Sequence, residues 1–220
     1  MHISGPVYIG SNADPALSRI GEFIATLKAE LPLIEPHVRL QSAHATRQSI
    51  RSGELDVGFL LGTPVDDNLD YRRLKSVVYR IVGPRRWHEK IVSADRSELA
   101  KMPWIITPPG NAHTDMMRTL FLDYGLEPRM VAEANNDLLI RSLIEQGLGL
   151  SLIREDYAVK ADSEARMSLA PAISAETNLL FAYARARKEE RVIRAALTAI
   201  DASWGIHTSA VAATKANAVT

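Results

Sequence analysis

Residues 49–64, SIRSGELDVGFLLGTP, restrict the possible folds more than any other part of the chain. Ile50 closes a short helix, and Gly53 stands where a helix ends on a left-handed residue. Glu54-Leu55-Asp56 then leads into Val57-Gly58-Phe59-Leu60-Leu61, a run apolar on both sides. A strand buried on both faces of a parallel sheet reads this way. Gly62-Thr63-Pro64 ends it. Helix, glycine cap, buried strand and loop make half of a βαβ unit. Ligands of open α/β sheets bind just beyond the carboxyl ends of such strands, so the loop at Gly62–Pro64 is the first place to look for a site.

The same grammar returns at residues 138–153, LLIRSLIEQGLGLSLI, where a helix is stopped by Gly147 and Gly149 and a short apolar strand follows. Two such units in different halves of one chain predict two α/β lobes of similar build. RSGELDVGFL and IEQGLGLSLI, in this order and spacing, resemble the effector-binding domain of LysR-type transcriptional regulators, and the resemblance runs from about Val7 to Trp204. It implies two Rossmann-like α/β lobes joined by two crossover hinge strands, the type 2 periplasmic-binding-protein fold. Lobe I would hold residues 1–82 and 179–205, lobe II residues 83–178, and residues 206–220 would form a flexible tail.

Composition removes several classes of function. With 26 basic and 26 acidic residues the net charge is zero. A domain that grips DNA by itself normally carries a basic excess, because phosphate neutralisation supplies much of its affinity. The chain has no cysteine, which excludes disulfides and thiolate metal sites and fits a reducing cytoplasm. The start MHISGPVYIG lacks the basic end and apolar core of a signal peptide, and no stretch is long enough to span a membrane.

Along the chain, residues 7–10 read as a first strand, and Pro15 opens a helix whose apolar stripe is Leu17, Ile20, Phe23, Ile24, Leu27 and Leu31. Residues 38–41 give a second strand and residues 44–52 a helix, a β-α-β-α-β order that predicts a parallel sheet with right-handed crossovers. Residues 69–74 read as an edge strand and 76–82 as a strand of their own. A short helix at 97–101, a buried strand at 104–106, the rigid loop Thr107-Pro108-Pro109-Gly110-Asn111 and a helix through Met116, Met117, Leu120 and Tyr124 follow. Arg129–Ala132 is a strand, and Asn135 or Asn136 caps the next helix. Residues 178–184 form the returning crossing strand, and residues 189–204 the closing helix.

Four loops would converge on the interlobe cleft: Ser11–Ala13, Ser42–Thr46, Thr107–Asn111 and Asn135–Asp137. Helix N-termini present free N–H groups and partial positive charge, so with hydroxyl or amide side chains beside them they bind carboxylates without a lysine. The competing role for Asn136 and its like is helix capping alone. The resemblance implies effector contacts at Ser11, Asn12, Thr107, Asn111 and Asn136, with Arg154 after the second-lobe strand. Where relatives carry Ser or Thr at the start of the second helix this chain has Ala43, which leaves Ser42, His44 and Thr46 as the alternatives. It also implies hinge segments at Val78, Val82 and Phe181. A homodimer (a tetramer in the full-length protein) would form through the faces of Leu17, Ile20, Phe23 and Ile24 in the first lobe and Met116 and Leu120 in the second.

Enzymatic constellations are missing: no GxSxG elbow, no GxxxxGK[ST] or GxGxxG phosphate loop, no HExxH, and six scattered histidines. No metal, cofactor or catalytic residue is expected. His88 and His113 read as surface or capping residues, Asp66-Asp67 as a solvated loop, and Met116-Met117 and Trp104 as core. The expectation is a cytoplasmic sensor domain that binds a small, anionic metabolite and touches DNA only through a separate winged helix-turn-helix. A stand-alone solute receptor of the same fold is the first alternative, and a lyase or dehydratase acting on small acids is the second.

Overall fold

The structure is a computed structural model describing residues 3–206, so the expected tail lies, but for Ile206, outside the described residues. In the first half of the chain β1 (Gly5–Ser11), α1 (Pro15–Ser18), α2 (Ile20–Glu30), β2 (Ile34–Leu40), α3 (Ala43–Ser52), β3 (Val57–Gly62) and β4 (Leu69–Pro84) follow one another. The middle section holds α4 (His88–Ser93), α5 (Arg96–Lys101), β5 (Pro103–Ile106), α6 (Ala112–Leu120) and β6 (Arg129–Glu133). Then come α7 (Asp137–Glu145), β7 (Ser151–Arg154), α8 (Glu155–Ser163), β8 (Met167–Ala184) and α9 (Arg191–Trp204).

The opening stretch behaves as its sequence dictates. Gly53 caps α3 at φ 82°, every residue of β3 is buried, and β1 pairs in parallel with both β2 and β3. Gly10 and Gly58 let α3 lie close on that sheet: a Cβ on Gly58 would stand 2.6 Å from the Thr46 methyl, and one on Gly10 2.8 Å from the same methyl. Three phenylalanines lock the first lobe, with Phe23, Phe59 and Phe181 meeting edge to face at centroid distances of 5.3–5.4 Å. All three are fully buried, each stabilising the lobe by roughly 1.5–3 kcal/mol through area removed from water. Trp104 against Phe121 at 5.1 Å plays the same part in the second lobe.

The two crossing strands are longer than expected. Residues 69–84 form one strand, with the ladder shifting register between Arg73 and Lys75 and again between Arg80 and Val82. β8 begins at Met167, because residues 167–177, rich in alanine and interrupted by Pro171, find their strand partners in distant β4. The ladder therefore runs on through the crossing as one curled sheet, in the order β2-β1-β3-β8-β4-β7, and β5-β6 joins it where Trp104 bridges Leu150. The lobes differ in their partners and cores: β3 pairs β8 over Asn178–Tyr183, whereas β7 pairs β4 over Tyr79–Val82.

Three expectations are corrected here. The change of partner falls at Ser76–Val78 opposite Glu176–Asn178, so Val78 lies in the crossing, while Phe181 and Val82 sit inside the cores of the first and second lobes. The helix foreseen over Leu17–Leu31 breaks at Arg19, left-handed at φ 51°. Its guanidinium donates to the Ser203 carbonyl at 2.8 Å and stacks on Trp204, which fixes the break. Finally, Phe23, Met116 and Leu120 are buried in the chain's own cores and cannot form a dimer face.

Candidate functional site: the crevice around Tyr79

Tyr79 occupies the middle of β4 immediately past the crossing, in register with Arg154 on β7 and Ala175 on β8. It packs in one apolar cluster with Ala13 and Leu61 of the first lobe and Ala112 and Met116 of the second. The His113 ring meets it edge-on at 5.0 Å. Burial raises the Tyr79 pKa well above the ordinary phenol value, and Asp137, Asp156 and Asp14 act in the same direction against Arg154. Among the described residues its hydroxyl makes no hydrogen bond, and burial keeps the phenol neutral. Burial likewise holds His113 below the usual imidazole pKa, only partly opposed by Asp137. His113 is thus a neutral, half-buried ring packed on Tyr79, where its sequence suggested a surface or capping residue.

The lobes touch through charged groups beside this floor. Asp14 caps α1 by accepting the Leu17 N–H at 3.0 Å. The same carboxylate lies 3.5 Å from the Arg154 guanidinium and 3.5 Å from the Tyr157 hydroxyl of the second lobe. Arg154 is further held by both oxygens of Asp156, at 2.6 and 2.7 Å, and stacks on Tyr157. These carboxylates keep it charged by raising its pKa against the opposing cost of burial.

The sequence candidates distribute themselves around this centre. Ser11 is buried and exchanges hydrogen bonds with Ala13. The Asn12 side chain accepts the Leu61 N–H at 2.8 Å and ties the first loop to the end of β3. Thr107 donates to Asn111, which caps α6 and braces the loop by donating to the Pro108 carbonyl. Asn136 caps α7 from an exposed position, next to Asp137, whose charge reaches Tyr79 and His113. Ser42 caps α3 and His44 is exposed; the Gln41 N–H joins their loop to the Ser11 carbonyl, but no described contact carries either residue to the second lobe. Thr46 is a correction: it is fully buried between α3 and the sheet, its hydroxyl without a partner among the described residues.

Sequence reasoning missed Tyr79, His113, Asp14 and Tyr157. The signals were present: Val77, Tyr79 and Ile81 alternate along a strand, and His113, Met116 and Leu120 share one helical stripe. Asp14 before Pro15 is an N-cap followed by a first-turn proline.

A family model for the LysR substrate binding domain matches residues 2–204. The chain belongs to that family. No curated protein matches its sequence. Among solved structures, the LysR domain is similar to the effector binding domain of QuiR in complex with shikimate, at TM-score 0.74 and 11% identity over 93% of this chain and 99% of that one. It is also similar to the Synechocystis PCC6803 CcmR regulatory domain in complex with 2-PG, at 0.74 and 15% over 91% and 98%. Full-length CbnR complexed with its target DNA gives 0.67 and 13% over 90% and 70%. At these identities the likeness establishes the fold, two α/β lobes of the type 2 periplasmic-binding-protein kind. Among the described residues no helix of this LysR domain is long and apolar enough to cross a membrane.

Proposed function

We propose that this LysR domain is the sensing part of a cytoplasmic transcription regulator, binding a small metabolite in the crevice between its lobes and passing the change to DNA-binding heads carried elsewhere. The observation that carries the reading is the meeting of Asp14 with Arg154 and Tyr157 across the lobes, beside Tyr79, whose hydroxyl has no partner among the described residues. A ligand that bridges Tyr79, Thr107 and the loop around Asn136 shifts the lobe equilibrium only through its differential affinity for the two arrangements. No step of catalysis is assigned, and no cofactor is invoked. The QuiR and CcmR domains, similar in fold, are in complex with shikimate and 2-PG, which supports a small-metabolite ligand.

Charge refines the ligand class. Two of the helix N-termini counted on to attract an anion already carry carboxylates of their own, Asp14 at α1 and Asp137 at α7. With Asp156 these outnumber Arg154, and His113 adds no charge at neutral pH. The crevice therefore favours a ligand bound through hydroxyl or amino groups over a simple anion.

We also propose a homodimer whose face differs from the buried helical stripe. Leu33, Val38 and Leu40, at and beside β2, and Leu122, Tyr124, Met130 and Val131, on and before β6, are exposed large apolar residues on the two lobes. Side-by-side antiparallel pairing would cover both sets.

A thermal-shift screen of sugar acids, polyols, amines and amino acids tests the sensing reading. A hit whose stabilisation Tyr79→Phe and Asn136→Ala weaken supports it. A hit indifferent to both substitutions places the ligand elsewhere.

A further inference from the structure

At the amino end of β5 a groove of about 470 Å³ opens in the second lobe, lined by Trp87, Lys90 and Ser93 at α4 and by Glu98, Met102 and Pro103 at α5 and β5. Thr107 of the crevice follows the carboxyl end of the same four-residue strand, so roughly 13 Å of extended chain separates the two places. The floor is apolar. Trp87 and Met102 are half-buried and pack on the second-lobe core around Trp104 and Leu99. The two walls carry opposite charges that do not pair with each other. Lys90 on α4 is exposed and forms no ion pair among the described residues. Glu98 on α5 spends one oxygen on the Asp95 N–H at 2.9 Å, as part of a capping box, and its other oxygen has no partner among the described residues. The Ser93 hydroxyl donates to the Glu89 carbonyl at 2.7 Å, which leaves it only the role of acceptor toward anything else.

We propose that this groove is a second ligand site, taking an α-amino acid with a large apolar side chain, its carboxylate on Lys90, its ammonium on Glu98 and its side chain against Trp87 and Met102. The argument is charge complementarity over an apolar floor. A simple anion would satisfy Lys90 but meet Glu98, and a simple amine the reverse. A zwitterion satisfies both through charge-assisted hydrogen bonds, and Ser93 adds an acceptor for the ammonium. An aromatic side chain gains most, from the indole of Trp87 and the sulfur of Met102. The volume suits a molecule of this size. The position also gives the ligand a mechanical role. α4 follows the crossing strand β4 after residues 85–87, while Met102 and Pro103 lead from α5 into β5. An occupant therefore ties the second-lobe end of the crossing to the strand that carries Thr107 at its other end, without entering the crevice. The site does not depend on the crevice ligand proposed above.

The test is titration of the intact chain with L-phenylalanine, followed by the indole N–H resonances in nitrogen-15 correlation spectra. Phenylethylamine and 3-phenylpropanoate, each lacking one of the two charges, are the controls. The chain has three tryptophans, and the Trp87 signal is assigned by its loss in Trp87→Phe. The expected result is a saturable shift of the Trp87 indole with phenylalanine, and binding about tenfold weaker for either control. Lys90→Gln should erase the preference for phenylalanine over phenylethylamine, and Glu98→Gln the preference over phenylpropanoate. Glutamine at 98 keeps an acceptor for the Asp95 N–H, so both variants hold the fold, which an unchanged melting temperature verifies. No saturable Trp87 shift, equal binding of the three probes, or indifference to both substitutions overturns the site. Shifts at Tyr79 and His113 with Trp87 unmoved overturn it in favour of the crevice.

Discussion

Asp14 and Arg154, 140 positions apart in the sequence, meet at 3.5 Å and are the charged contact through which one lobe holds the other. Asp14 also caps α1, so its charge and its cap must be tested apart. Asparagine caps as well as aspartate, and Asp14→Asn therefore removes the interlobe charge alone. Partly exposed pairs contribute little, and the expected loss is about 0.5–1 kcal/mol in urea unfolding. Small-angle scattering should show a more open average shape in the variant. An unchanged envelope would mean that apolar packing alone keeps the lobes together.

Thr46 separates core from site. Its hydroxyl is buried without a partner while its methyl packs toward Gly10 and Gly58. Thr46→Val should stabilise the domain by about 1 kcal/mol, because an unsatisfied buried hydroxyl is removed at constant volume. It should leave ligand affinity untouched. Gly58→Ala should cost about 1–3 kcal/mol through overpacking against that methyl, and adding Thr46→Ser should recover part of the loss.

How far the sequence could be read follows from which contacts are local. Gly53, the buried run Val57–Leu61 and the Asn136 cap, one of the two asparagines offered for it, depend on neighbours within a few residues, and each stands where it was expected. The first half of β8 was illegible because Met167–Thr177 owes its extended form to β4, some ninety residues earlier in the chain. Tyr79 and His113 were missed for a related reason. Their spacing places them on inward-turned faces, but that they meet each other is a property of the crossing. Phe23 was read correctly as apolar and assigned to a dimer face, whereas it packs on Phe59 and Phe181 of its own chain.

His113 makes stability depend on pH. Burial depresses its folded pKa, with Asp137 opposing in part. The unfolded chain therefore binds the proton first, below about pH 6.5. Stability from this group is complete above that value and is lost as the pH falls toward the lower folded pKa. Melting temperature should drop between pH 7 and 5 more steeply in the native chain than in His113→Gln. Parallel curves would show that the ring titrates as freely folded as unfolded.

The proposed dimer face makes a separable claim. Val38→Asp and Met130→Asp alter residues that are 44% and 58% exposed, so monomer stability should change little. Each should weaken self-association at least about tenfold in sedimentation equilibrium. Leu27→Val, inside the first-lobe core, should instead lower stability without changing the dissociation constant.

The central claim, that two lobes close around a small molecule over Tyr79, is tested most directly by mapping a screened hit onto assigned amide resonances. The account predicts shifts clustered at Ser11–Asp14, Tyr79, Thr107–His113 and Asn136–Asp137, drawn from both lobes and lost together in Tyr79→Phe. Shifts confined to the outer face of a single lobe, with Tyr79 and His113 unmoved at saturation, would contradict it.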